Sequence, residues 1–323
     1  MTILMTGLCE KGADQIWKQC NDAMYAQGVT WLEEAAYAGD AEAWFFLGHC
    51  YSWGDGAVGF NEKKAYECYL RGASAGSARA VLGALRAGQY DEQMKQSARY
   101  SIEESYRQVR DAAEMGDVYA AWQMGEAVEW EDLADYMPQT ESAREQCLFW
   151  YERAADGGII PAMVKMGKCC QNGTYREKDE KEALRWANQC AASGEVWGLF
   201  QMGEHYRQEE DWEAAFQYDY AAAKQGSSRA MLYLGQMYLN GQGTERDIQA
   251  AVQALEGAAA RNEAESFEEL GNLFYQDELV ERDDEKAFYW YGKAYAAGIK
   301  EAALPLARLY LRPSDEQDTV RAE

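Results

Sequence analysis

Residues 234–243 read LGQMYLNGQG: a bulky residue beside a glycine, an aromatic three positions on at Tyr238, then Gly241 and Gly243 on either side of Gln242. One copy specifies little; recurrence gives it meaning. A bulky–small pair with a larger side chain three residues later also occurs at Leu47-Gly48 with Tyr51, Met124-Gly125 with Val128, Met166-Gly167 with Cys170, Met202-Gly203 with Tyr206, Leu270-Gly271 with Phe274 and Leu306-Ala307 with Tyr310.

Eight residues before each of these pairs stands a marker: Gly39, Gly116, Gly158, Gly194, Gly226, Asn262 or Gly298, with Gly76 heading a degenerate copy. Successive markers lie 32–42 residues apart. A second pattern leads into many of them: Trp31 before Ala35-Ala36, Trp150 before Ala154-Ala155, Trp186 before Cys190-Ala191, Tyr218 before Ala222-Ala223, and Trp290 before Ala294-Tyr295. Spacings of one, three and four put side chains on one face of an α-helix. Each unit therefore reads as two antiparallel helices. Helix A carries the LGxxY stripe and helix B the WxxxAA stripe. Small residues let neighbouring helices approach, and large ones fill the adjoining gaps. The marker is predicted to end helix B in a left-handed conformation. Gly241 and Gly243 are predicted to end helix A and make the next turn.

A period of this length is the signature of a stacked helical array. The chain resembles the Sel-one-like repeat (SLR) family, relatives of the tetratricopeptide repeat, through LGQMYLNGQGTERD, the KAFYWYGKAYAAG stretch ending at Gly298, and LGHCYSWGDG from Leu47. The resemblance runs from about Trp31 to Leu311 with seven spaced copies. It implies an all-α fold: a right-handed α/α superhelical solenoid of about seven helix pairs with capping helices at both ends. It also implies that helix A lines a concave face that binds other proteins, and many members are bacterial. Residues 1–311 are expected to form a single solenoid, irregular around 84–105 and 129–140, followed by an acidic C-terminal tail, 312–323. In the first irregular stretch Ala84-Leu85 replaces Leu-Gly and Gly88 stands where the aromatic belongs. In the second, EWEDLADYMPQT lengthens a connection and carries Pro138.

The net charge of −24 makes nucleic acid and anionic membranes poor partners, because phosphate binding needs clustered Lys and Arg. The start, MTILMTGLCEKG, lacks the basic-then-apolar layout of a signal peptide, and no apolar run reaches membrane-spanning length. A cytoplasmic location is expected, with the eight cysteines mostly as buried thiols. The family includes cysteine-rich secreted members with a disulfide in each repeat, to which β-lactam binding or hydrolysis is ascribed. Here Cys50, Cys68, Cys169, Cys170 and Cys190 do not recur in every repeat, so that function is not implied.

Motifs of chemistry are sparse. Gly54 to Gly59 matches GxGxxG but follows a helix, not a strand. Gly72-Ala73-Ser74-Ala75-Gly76 matches the GxSxG of hydrolases but ends a helix B instead of sitting at a strand-to-helix elbow. His49 and His205 are the only histidines, and no Cys/His cluster has zinc spacing. No catalytic residue, cofactor or metal site is expected.

Two rows along helix A carry the binding expectation. Two residues before the Leu of LG stand Phe45, Leu82, Trp122, Val164, Phe200, Leu232, Glu268 and Leu304, a row expected to pack between repeats. Two residues after it stand His49, Arg86, Glu126, Lys168, Glu204, Gln236, Asn272 and Arg308, all polar and expected to face solvent in the groove. One turn on lie Trp53, Glu129, Trp130, Gln171, Arg207 and Tyr275. The expected partner site is therefore His49, Trp53, Glu126, Glu129, Trp130, Lys168, Glu204, Arg207, Gln236, Asn272 and Tyr275. Trp130 stands among Glu126, Glu129, Glu131, Asp132 and Asp135, which suggests a pocket for a basic, partly apolar segment of a protein or peptide. The expected function is a non-catalytic adaptor or scaffold. An inhibitor or immunity protein that neutralises one toxin or enzyme is the alternative, and a hydrolase is a third.

Overall fold

The computed structural model describes residues 7–19, 22–54, 58–130, 143–276 and 279–311. Among these, every regular element is helical, as the repeat pattern predicts. The remaining parts of the long connection, including Glu131, Asp132, Asp135 and Pro138, lie outside the described residues, as do 312–323. The chain divides into two compact units, Met1–Gly198 and Leu199–Glu323.

The first unit runs through α1 (Leu8–Trp17), α2 (Asp22–Tyr37), α3 (Ala41–Trp53), α4 (Glu62–Ala75), α5 (Ala78–Arg86), α6 (Glu92–Ser97), α7 (Ile102–Glu114), α8 (Val118–Glu129), α9 (Ala143–Asp156), α10 (Ile160–Asn172) and α11 (Glu180–Ala192). Helix α12 spans Val196–Gln208. The second unit continues with α13 (Trp212–Lys224), α14 (Ser228–Asn240), α15 (Ile248–Ala259), α16 (Ala264–Tyr275), α17 (Asp284–Ala296) and α18 (Ala303–Tyr310), the last preceded by a single 3₁₀ turn at Lys300–Ala302.

Helix starts and stops follow from local chemistry. Asp40, Asn61, Ser77, Asp117, Asp179, Ser227, Asp247 and Asp283 each accept a backbone N–H of the first turn. Ser101 and Glu104 form a reciprocal capping box on α7. The eight markers all adopt positive φ, from 61° at Asn262 to 104° at Gly76. Asn262 can stand in because a short polar side chain tolerates the left-handed region better than other L residues.

The bulky–glycine pair is explained by what faces it. A Cβ built on Gly48 would lie 2.6 Å from the Tyr69 ring, one on Gly125 2.7 Å from Tyr151, and one on Gly271 2.7 Å from Tyr291. On Gly235 it would lie 2.6 Å from Leu255. These four glycines of helix A are notches for a side chain of the following helix B, whereas Gly167 of α10 is met by the Trp197 ring of α12. The three tyrosines are fully buried, a contribution of about 1.5–3 kcal/mol each relative to exposure. They belong to a row seven residues before the markers: Leu32, Tyr69, Val109, Tyr151, Ala187, Leu255 and Tyr291, all buried. Asp219 is the exception in that row.

The degenerate repeat takes its own form. Helix α5 stops at Arg86, and the short α6 is inserted before α7. Its Met94 is fully buried, and the Arg99 N–H donates to Ala73 O, which ties the insertion back to α4. The apolar helix A row behaves mostly as a packing row: Phe45, Leu82, Trp122 and Leu232 are buried, whereas Leu304 is exposed.

Candidate functional site

In the first unit the polar row and its neighbouring aromatics converge on one residue, Arg86. It is the last residue of α5, so its side chain leaves the helix end toward α8. Its Nη2 lies 3.3 Å from Glu126 Oε1. Its guanidinium centre sits 5.2 Å from the Trp53 ring and 5.0 Å from the Trp130 ring. Arg86 thus contacts the faces of two indoles while Glu126 holds it, a cation–π arrangement that desolvation strengthens. Trp53 ends α3 and Trp130 caps α8, and both stay largely open, at 51% and 61% exposure.

Beside this stack, His49 Nε2 lies 3.9 Å from Glu126 Oε2, and the His49 ring is 4.8 Å from Trp122. One turn after Glu126, Glu129 is held twice. Lys165 Nζ donates to Oε1 at 2.6 Å, and the Tyr151 hydroxyl donates to Oε2 at 2.7 Å. Burial, and then the Glu129 charge, push the Tyr151 hydroxyl far above the ordinary phenol range. Nearby, burial pushes the Cys147 thiol up to about 12, so it is an inert thiol at neutral pH.

Two expectations change here. His49 does not face solvent: it is 7% exposed, because Trp17 of α1 packs its ring 5.6 Å from the imidazole. Helix α1 is more than an end cap. Trp17 also meets Phe46, Tyr119 and Trp122, and Tyr119 donates to Asp14 Oδ1 at 2.6 Å. The charge of Glu126 and Glu129 is also answered inside the molecule, by Arg86 and Lys165. Lys168 is exposed on α10, three residues beyond Lys165.

In the second unit the expected residues take a different arrangement. Arg207 of α12 ion-pairs with Asp219 of α13, and its guanidinium lies 3.7 Å from the Tyr233 ring centre and 5.5 Å from that of Phe200. Asp219 has no exposed surface and approaches through the notch at Gly203. Burial raises its carboxyl to about 6, against the lowering effect of Arg207. Gln236 donates to Glu269 Oε1 at 2.8 Å. Arg207 and Gln236 line an open pocket of about 410 Å³ with Trp212, Tyr233, Asn240 and Glu269. Glu204 is partly buried on the same helix as Arg207. Asn272 accepts from the Tyr291 hydroxyl at 2.8 Å, and Tyr275 packs edge-on to the same ring, so both support the fold locally.

Lys165, Tyr151 and Asp219 were not legible as site residues from the polar rows. Asp219 had a signal, as the one charged residue in an otherwise apolar row. Lys165 had none, since its role depends on a neighbouring repeat. Of the chemical motifs, Ser74 Oγ donates to Leu70 O at 2.7 Å, an ordinary intrahelical bond. Residues 55–57 of the GxGxxG match lie outside the described residues. No helix among the described residues is long and apolar enough to cross a membrane.

The Sel1 repeat profile matches residues 23–40, 41–77, 118–159, 160–195, 228–262 and 268–299. The chain belongs to the Sel1 repeat family. These Sel1 repeats leave out the two stretches that depart most in their packing: the inserted α6 region, and α12–α13 with Asp219 in place of an apolar residue. A crystal structure of a protective antigen of uropathogenic Escherichia coli with an SLR fold is similar at TM-score 0.55 and 20% identity, covering 92% of this chain and 72% of that one. A Sel1 repeat protein of Oxalobacter formigenes is similar at TM-score 0.54 and 21% identity, over 94% and 86% of the two chains. An uncharacterized protein of Neisseria meningitidis serogroup B is 28% identical over 156 residues, 47% of this chain. The match spans 30% of that relative's length.

Proposed function

We propose that this Sel1 repeat protein is a non-catalytic interaction scaffold, and that a partner protein or peptide docks on the Trp53–Arg86–Trp130 platform. Sel1 repeats imply a protein–protein interaction scaffold, which supports the class. The observation that carries the site is the stack itself. Two tryptophans that an isolated fold would gain by burying stay about half open, yet each is fixed against a guanidinium that Glu126 holds. Rigid, amphipathic, exposed aromatics are the residues that dominate protein interfaces, and a preformed surface loses little entropy on binding.

The chemistry expected of the partner shifts accordingly. Glu126 and Glu129 are paired, so a basic segment gains less there than the bare sequence suggests. The platform favours an apolar or aromatic side chain set among polar backbone groups, laid against the outer indole surfaces.

Affinity capture from the source cell's lysate tests this, with Trp53→Ala/Trp130→Ala beside the unaltered chain. The expected result is a partner retained by the unaltered chain and lost by the double variant, at equal helicity. A partner held equally by both moves the site away from the platform. Glu126 and Glu129 are poor probes, because each already holds a cation within the fold.

A further inference from the structure

Four helix A notches are each filled by the helix B that follows: Tyr69 on Gly48, Tyr151 on Gly125, Leu255 on Gly235, Tyr291 on Gly271. Among the described residues no helix follows the last bulky–small pair, Leu306-Ala307 on α18. Ala303, Leu306, Ala307 and Tyr310 of this helix enclose, with Phe288 and Tyr295 of α17, an apolar groove of about 450 Å³. Around it Tyr310 and Leu311 are 77% and 76% exposed, and Tyr295 and Leu304 are also exposed. Contiguous apolar exposure of this kind marks an association surface.

Charge says what fits it. Helix α18 carries no carboxylate. Across residues 284–311 three acids, Asp284, Glu285 and Glu301, face four bases, Lys286, Lys293, Lys300 and Arg308, so this end is near neutral in a chain of net charge −24. Two copies would repel over most of their surfaces, but not here. The face is also self-complementary. It offers the small residues Ala303 and Ala307 as a notch and Tyr310 and Leu311 as the side chains to fill one. A two-fold contact requires both on one patch.

We propose that this face is where two copies of the chain associate, α18 against α18 about a two-fold axis, with Tyr310 and Leu311 of each copy seated over Ala303 and Ala307 of the other. The contact continues the helix-on-helix packing of the repeats, with a helix of the second copy laid over this bulky–small pair.

Sedimentation equilibrium of the full chain across the micromolar range tests this directly. The expected mass is twice the 36.4 kDa of the chain. Ala307→Glu and Tyr310→Asp should each return it to the monomer mass with unchanged circular dichroism. Met115→Glu, at an exposed position of the first unit, should remain dimeric. A chain that is monomeric at every concentration overturns the proposal, as does a dimer that survives both substitutions on α18. Dimerisation only after removal of residues 312–323 also overturns it, and makes that segment the occupant of the groove.

Discussion

Gly271 lies flat against the ring of Tyr291, so close that a methyl on its Cα would sit 2.7 Å from the ring's Cδ1. Real Cβ contacts do not occur at that distance, and neither the buried ring nor the helix backbone has room to yield. Gly271→Ala should therefore destabilise the protein by about 1–3 kcal/mol. Gly292, on the facing helix α17, has nothing within 4 Å of a built Cβ. Gly292→Ala should be neutral or stabilising by up to about 1 kcal/mol, since Ala is the better helix former. Urea unfolding of the two variants separates a packing glycine from a merely tolerated one.

Asp219 occupies a core row held elsewhere by apolar residues, and burial raises its carboxyl to about 6. The sign of the pH effect follows. Between the ordinary carboxyl value and about 6 the folded chain keeps a proton that the unfolded chain has lost. The stabilisation is complete below the unfolded value and fades as pH rises through about 6. Against Asp219→Asn, which stays neutral throughout, the wild type should lose on the order of 2–3 kcal/mol between pH 4 and pH 7. Paired denaturant titrations at several pH values measure this difference and cancel the contribution of the other carboxylates. A gap that is flat across that range would show Arg207 holding Asp219 ionised throughout.

Glu129 accepts from Tyr151 and Lys165 together, and the Tyr151 ring is buried. Glu129→Ala strands a buried hydroxyl and should cost about 1–3 kcal/mol. Glu129→Gln keeps an acceptor for the hydroxyl and should cost less. Thermal or denaturant melts of the pair test whether this carboxylate is a structural strut or an open ligand for a partner.

Much of the fold was legible because its rules are local. Leu234-Gly235 and Tyr238 declare one helix face, and Gly226 declares where the preceding helix stops. The LG notch and the residue that fills it lie within one repeat unit, so the same period that reveals one reveals the other. The site was legible only in part. Trp53, Glu126 and Trp130 stood out by residue type, but Arg86 joins them from about 40 residues away in sequence, as does Lys165 for Glu129 at 36. His49 looked exposed by its place in a polar row, yet Trp17, from a helix outside the repeat pattern, covers it. A row read one repeat at a time does not show that adjacent repeats bring its charges into contact, as Arg86 meets Glu126 and Lys165 meets Glu129. Asp219 was visible but lay one position after the Trp row.

Docking on the platform requires Trp53 and Trp130 to meet the partner. The most direct check is a photo-crosslinking amino acid placed at Trp53, and separately at Met115 on an exposed helix end, in the source cell. The expected result is one discrete adduct of the chain with a second protein from position 53, absent from position 115, and lost when Arg86→Glu is added and the stack comes apart. Equal adducts from both positions, or an adduct at 53 that survives the loss of Arg86, would contradict it.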